Sequence, residues 1–225
     1  INAILSSSAT SGRPSSIVLD SITSKRQTVA SAKVMSDYLG DKRRPFLILD
    51  EDPLVSNSVE ISARSAATRG FLILASEPKY LLNNNNGQLS FNIDDFKKLV
   101  EHQNNRKREV CIFGFTYVLY HHVIKELIKK KIQLKLPENS KIAHIGGWKK
   151  LESEKVTKKQ FVNDVSHVFG VKKENIFDFY GFTEQMGLLY VNVGVEPKTV
   201  STYSEVIIRD FQTLKPVKDG EQGLI

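Results

Sequence analysis

The chain has 225 residues but only one cysteine, one tryptophan and two methionines. A lone Cys111 closes no intrachain disulfide, so the fold must rest on an apolar core, in agreement with a reducing compartment. No run of about 18 or more apolar residues occurs, so no membrane-spanning helix is expected. The first residues have neither the charged region nor the cleavage pattern of a signal peptide, which makes a cytoplasmic location the expectation. Gly-x-Gly-x-x-Gly and Gly-x-x-x-x-Gly-Lys-Ser/Thr are both missing, and with them the two commonest nucleotide-binding frameworks. No Cys or carboxylate stands at zinc-ligand spacing from His121 and His122, and adjacent residues on a helix point to different sides. His121 borders an apolar stripe and is a candidate for the edge of an acyl pocket.

With 40% hydrophobic residues the chain can bury a sizeable core. Short apolar runs alternate with helical periodicity. Phe46-Leu47-Ile48-Leu49 and Phe71-Leu72-Ile73-Leu74 read as strands flanking a helix that begins near Asn57, where Glu60 completes a capping-box spacing. Asn83 to Gly87 reads as a hairpin turn, and Asp94 to Glu101 as a short charged helix. Val110 to Phe113, a helix from Tyr117 to Lys131, and Lys141 to Ile145 repeat the βαβ pattern. A further helix opens at Thr157 with Gln160 three residues on, carries Phe161, Val165, Val168 and Phe169 on one stripe, and stops at Gly170. Ile176 to Phe179 is the next strand. This alternation predicts a doubly wound, mostly parallel α/β sheet. Cys111, inside one of the apolar runs, reads as a core thiol.

Lys+Arg 32 against Asp+Glu 25 leave a net charge of +7. The basic clusters are Arg106-Lys107-Arg108, Lys129-Lys130-Lys131 and Lys155, Lys158 and Lys159. Basic clusters can bind nucleic acid, and a nucleic-acid-binding or scaffold protein is the non-enzyme alternative. These clusters lie at helix ends and in loops without an aromatic-interleaved RNA motif, so nucleic acid is not the expected partner.

Three segments carry chemistry. Tyr180-Gly181-Phe182-Thr183-Glu184 sets a ring, a hydroxyl and a carboxylate at a strand end, where open α/β sheets bind ligands. Upstream, Ser6, Ser7, Ser8, Thr10, Ser11 and Ser15 surround Gly12 in a loop whose hydroxyl and amide donors suit a polyphosphate. Gly146 and Gly147 would let a planar base approach the backbone. Taken singly, each segment also reads as a flexible loop, a helix cap at Thr183 or a turn.

In this order the segments resemble the acyl-adenylate-forming superfamily. Tyr180 to Glu184 is similar to its Tyr-Gly-x-Thr-Glu motif, Ser7 to Ser15 to its Thr-Ser-Gly-Thr-Thr-Gly-x-Pro-Lys loop, and Ile145-Gly146-Gly147-Trp148 to the glycines bordering adenine. Asp219 to Ile225 resembles its Gly-x-x-Gly-Glu-Leu strand entry. Ser15 stands where most members have Lys, and Ala9 where they have Gly. The serine-rich loop, Phe113-Gly114-Phe115-Thr116-Tyr117 before a His-containing helix, and Gly-Gly-Trp-Lys at 146–149 resemble the LuxE acyl-protein synthetase branch.

The resemblance implies ATP- and Mg²⁺-dependent activation of a carboxylic acid, a long-chain fatty acid in that branch, to an acyl-adenylate. Transfer to a protein thiol would follow, with an acyl-accepting protein or reductase as partner. It implies that Ser7, Ser8, Thr10, Ser11 and Gly12 cradle phosphates, and that Gly146, Gly147, Tyr180 and Gly181 frame adenine. Thr183 would serve the α-phosphate and Glu184 the metal. The family's acceptor cysteine lies near the C-terminus and is not carried over to Cys111. By the resemblance, residues 1–225 are the central part of the large N-terminal adenylation domain, incomplete at both ends, without the N-terminal region or the C-terminal lid domain. Alternatives within enzymes are a phenylacetate-CoA-ligase-like acyl- or aryl-CoA ligase and an adenylating enzyme of capsule or lipopolysaccharide assembly.

Overall fold

The computed structural model describes residues 3–6, 13, 15–52, 63–85, 88–148, 153–202 and 204–225. Its centre is a six-stranded sheet in the order β10-β9-β8-β7-β3-β4. The strands are β3 (Arg44–Leu49), β4 (Ala75–Tyr80), β7 (Cys111–Phe115), β8 (Lys141–Ile145), β9 (Ile176–Tyr180) and β10 (Tyr190–Val193). All neighbours pair in parallel except β9 and β10, which are antiparallel. Two hairpins accompany the sheet: β1 (Ala3–Ser6) with β2 (Ser16–Leu19), and β5 (Leu82–Asn85) with β6 (Gln88–Phe91).

The strands read as continuous apolar runs because helices cover both faces. Leu47, Leu49, Ile112, Ile142 and Ile176 face one layer, which is built on α3 (Ile93–Asn105) and α6 (Lys158–Phe169). That layer also contains a helical run through 116–129, made of α4 (Thr116–Val118), a π-helical segment (Leu119–Ile124) and α5 (Lys125–Lys129). Phe46, Ile48, Cys111, Phe113, Phe177 and Phe179 face the other layer, against α1 (Ser21–Leu39) and α2 (Ala63–Phe71). There Phe71 stacks on Phe113 at 4.3 Å and meets Phe179 edge-on at 5.0 Å. Each fully buried side chain of this size contributes about 1.5–3 kcal/mol.

Local chemistry sets the helix limits. Thr157 accepts the Gln160 amide at 3.1 Å to open α6, and Gly170, at φ 63, closes it in the left-handed conformation. Asn92 caps α3 by accepting the amides of Asp94 and Asp95, and those two carboxylates sit at the positive end of the helix dipole.

Several expectations need correction. Phe71 to Leu74 is the end of α2 followed by a 3₁₀ turn (Leu72–Leu74), and the strand lies one step later at Ala75–Tyr80. A short apolar run does not distinguish a buried helix end from a strand. The true strand is an edge strand carrying Glu77, Pro78 and Lys79, so its composition hides it. Asp94 to Glu101 extends to Ile93–Asn105. The helix start near Asn57 and Glu60 and the Asn86-Gly87 turn lie outside the described residues. No helix among the described residues is long and apolar enough to cross a membrane.

After β3 the chain goes to β4 at one edge, then returns across the sheet to β7 on the other side of β3. The strand order therefore reverses between β3 and β7, and in sheets of this topology ligands bind outside the carboxyl ends of the strands.

Candidate active site

The candidate residues that the structure describes gather on this carboxyl edge. Ile145 pairs with Phe179, so Gly146 leaves β8 alongside Tyr180 at the end of β9. Gly146 adopts φ 80, and a Cβ there would lie 3.3 Å from the Phe115 ring. Gly147 is exposed with open space around it, whereas Trp148 is buried and packs edge-on against Tyr120 at 5.4 Å. The glycine pair is thus an exposed backbone surface anchored at one end by an indole.

At the other end Thr116, the first residue after β7, holds it. The Thr116 hydroxyl lies 2.6 Å from the Gly146 carbonyl and 2.8 Å from His144 Nδ1. A hydroxyl has one proton, and the carbonyl can only accept, so Thr116 donates to Gly146. His144 Nδ1–H then donates to Thr116 Oγ1, which assigns the neutral Nδ1–H tautomer. His144 is 5% exposed, and its ring lies 4.6 Å from that of Phe161. Burial pushes its pKa down to about 4, against the opposing pull of the Asp178 carboxylate.

Asp178, opposite His144 in the β8–β9 ladder, approaches Nδ1 to 3.7 Å, beyond hydrogen-bond reach. Its other oxygen accepts from Lys198 Nζ at 2.9 Å, and Lys198 also donates to Asn192 Oδ1 at 2.7 Å. The Lys198 ammonium lies 5.6 Å from the centre of the Tyr180 ring. That ring is 39% exposed and meets Phe182 edge-on at 5.0 Å. A side chain at Gly181 would crowd Leu189 at 3.1 Å, so the turn after Tyr180 accommodates only glycine without movement.

Thr183 and Glu184 form a 3₁₀ turn (Thr183–Gln185) directly beyond this point. Glu184 is exposed, and its carboxylate makes no ion pair among the described residues. No group of three or more His, Cys, Asp or Glu able to hold a metal occurs among the described residues. A single free carboxylate suits Mg²⁺, which keeps several waters and takes further oxygens from phosphates. Ser7, Ser8, Thr10, Ser11 and Gly12 lie outside the described residues, whereas the strands on either side of them pair with Ser6 opposite Ser16.

Sequence reasoning gave no site role to Thr116, though it lies within the motif at 113–117, and did not single out His144, Asp178, Asn192 or Lys198. A signal was present for two of them: His144 and Asp178 each interrupt an apolar strand, and a polar group buried in a sheet needs a partner. In the histidine pair, His121 has a carboxylate partner that its local sequence does not reveal. Glu154, far away in sequence, accepts from His121 Nδ1 at 3.1 Å and from Lys125 at 2.5 Å. The Lys125 hydrogen bond holds the Glu154 carboxyl below its ordinary range, with His121 adding to it. Cys111 is fully buried, and burial pushes its thiol up to about 12, as a core thiol requires.

The fold of this chain is similar to that of solved structures of CoA ligases and related enzymes. ATP-bound MatB from Rhodopseudomonas palustris matches at TM-score 0.56 and 14% identity, over 98% of this chain and 38% of that one. The 2-hydroxyisobutyryl-CoA ligase in its postadenylation state matches at TM-score 0.57 and 13% identity, over 99% and 42%. At such identities the likeness defines the fold, which is that of the adenylate-forming domain.

The family profile "Acyl-protein synthetase, LuxE" matches residues 1–225, and the chain belongs to that family. A curated relative, the "Long-chain-fatty-acid--luciferin-component ligase" of Aliivibrio fischeri, is 27% identical over 135 residues, 58% of this chain and 35% of that protein. The chain thus spans about a third of that relative's length.

Proposed function

We propose that the protein activates a carboxylic acid with ATP, forming an acyl-adenylate and pyrophosphate, and then passes the acyl group to a protein thiol. The observation that carries this reading is the side-by-side placement of Gly146-Gly147 and Tyr180 to Glu184 on the carboxyl edge of a chain that matches the acyl-protein synthetase family throughout. A long-chain fatty acid is the substrate class, supported by the name of the Aliivibrio fischeri relative. The chain would be the central part of the large adenylation domain of a cytoplasmic enzyme, with an acyl-accepting protein or reductase as partner.

In this reading the exposed face of Tyr180 lies on the purine, and the backbone of Gly146 and Gly147 borders its edge. Gly181 lets the chain turn so that the Thr183 hydroxyl donates to the α-phosphate. Glu184 would hold Mg²⁺, which would supply charge neutralisation for the departing pyrophosphate. Ser7, Ser8, Thr10, Ser11 and Gly12 cradle the remaining phosphates with hydroxyl and amide donors. The acid's carboxylate attacks the α-phosphate, the bond to the bridging oxygen breaks, and pyrophosphate leaves with that electron pair. Catalysis here is positioning and charge stabilisation.

ATP–pyrophosphate exchange on the full-length protein, with a panel of fatty and aromatic acids, tests the reading. Acid-dependent exchange that Glu184→Ala reduces by about 10² or more supports it. Folded wild-type protein that catalyses no exchange with any acid overturns it, as does normal exchange by Glu184→Ala for the metal role.

A further inference from the structure

Lys198 follows β10 in a segment that carries no recognised motif, yet it sits at the convergence of three acceptors. Its ammonium donates to Asp178 Oδ2 at 2.9 Å and to Asn192 Oδ1 at 2.7 Å, with the Asp178 carbonyl at 3.4 Å. An ammonium has three donors, and all three are engaged. Asp178 and Asn192 are direct partners across the antiparallel β9–β10 pair, so one cation bolts the two strands together at that rung. Thr199, the next residue, extends the fastening: its amide reaches Val191 at 2.9 Å and its hydroxyl meets the Tyr38 hydroxyl of α1 at 2.5 Å.

Two rungs along, on the same face of the strand as Asp178, Tyr180 pairs with Tyr190, and the Lys198 ammonium lies 5.6 Å from the Tyr180 ring centre. With Phe182 edge-on at 5.0 Å, the ring is confined from two directions while part of it stays exposed. A packed apolar trio would hold two strands at least as well as this partly exposed charge pair, since pairs open to water contribute little. What an ammonium adds is attraction to the face of an aromatic ring.

We propose that Lys198 is a positioning residue for nucleotide recognition, holding the Tyr180 ring in the orientation that receives the purine. This rests on the adenylation reading above. Lys198 does not touch the nucleotide and acts only through Tyr180, so its loss weakens ATP binding without slowing chemistry once ATP saturates. A residue that only stabilised the fold would lower the active fraction, and with it the apparent kcat, while leaving the KM and dissociation constant for ATP unchanged.

The experiment uses the full-length protein, with ATP binding measured by calorimetry and exchange kinetics measured against both ATP and acid. Lys198→Met keeps the aliphatic stem and removes the cation. It should raise the ATP dissociation constant and the KM for ATP about tenfold. The KM for the acid and kcat at saturating ATP should stay within about twofold, and Lys198→Arg should restore ATP affinity. In a Tyr180→Ala background, Lys198→Met should have no further effect on ATP affinity, because its route of action is gone. Unchanged ATP affinity in folded Lys198→Met, or effects that add fully to those of Tyr180→Ala, overturn the inference. Where Lys198→Met does not fold, Lys198→Gln, which retains hydrogen bonding without charge, carries the same expectations. Wild-type protein that binds ATP alongside an indifferent Lys198 variant defeats this inference alone. Wild-type protein with neither ATP binding nor exchange defeats the adenylation reading and this inference with it.

Discussion

Lowering the pH should destabilise the protein through His144, and the size of the effect follows from its surroundings. The imidazole is 5% exposed, packed on Phe161, and bound through Nδ1–H to Thr116. Burial lowers its pKa from 6.5 to about 4. Asp178 opposes that shift, while Lys198 and Lys158 add to it. Because the folded value lies below the unfolded one, the unfolded chain binds the proton first as pH falls. Stability is complete above about pH 6.5 and declines at about 1.4 kcal/mol per pH unit down to about pH 4, on the order of 3 kcal/mol in all. Urea unfolding of the full-length wild type and of His144→Gln, compared at intervals from pH 7.5 to 4.5, isolates this contribution from that of the carboxylates. The wild type's advantage should be largest at pH 7 or above and should shrink along that slope as the medium acidifies. Parallel curves for the two proteins, or a His144 NMR signal that titrates near pH 6.5, would refute the argument.

Two further outcomes follow. Thr116→Val removes the donor to the Gly146 carbonyl and the acceptor for His144 in one step, so thermal or urea unfolding should show a loss of about 1–3 kcal/mol, and Thr116→Ser should recover most of it. Cys111 should not react with an aromatic disulfide reagent at pH 8 in the native protein and should react at an ordinary rate in urea, since burial holds the thiol up to about 12; rapid native labelling of Cys111, located by mass spectrometry, would contradict its core placement.

How much could be read in advance depended on whether a signal was local. Helix α6 was fully legible, because Thr157, Gln160, the stripe from Phe161 to Phe169 and Gly170 mark its start, face and end within its own sequence. Strands β3, β7, β8 and β9 were legible as apolar runs, since helices on both faces remove the polar alternation that would blur them. Helix α1 was not. Its buried residues Val34, Met35 and Leu39 lie only in its second half, and Ile22 and Val29 are exposed, so no stripe runs its length. The π-helical segment Leu119–Ile124 was likewise invisible, because an apolar stripe does not reveal a change of hydrogen-bond register. In the candidate site, Gly146, Gly147 and Tyr180 to Glu184 could be picked out, since each motif is contiguous.

By itself, then, the sequence determined the class of the fold and picked out the candidate segments, because strand and helix periodicity and contiguous motifs are properties of neighbouring residues. Only the tertiary structure decided which polar groups meet. Thr116 reaches Gly146 because β7 and β8 pair in a register that sets Gly114 beside His144. Lys198 reaches Asp178 and Asn192 because the chain turns back over the β9–β10 pair. Those partners are joined by register and packing across the sheet, and a side chain's nearest neighbours there are set by strand order rather than by distance along the chain.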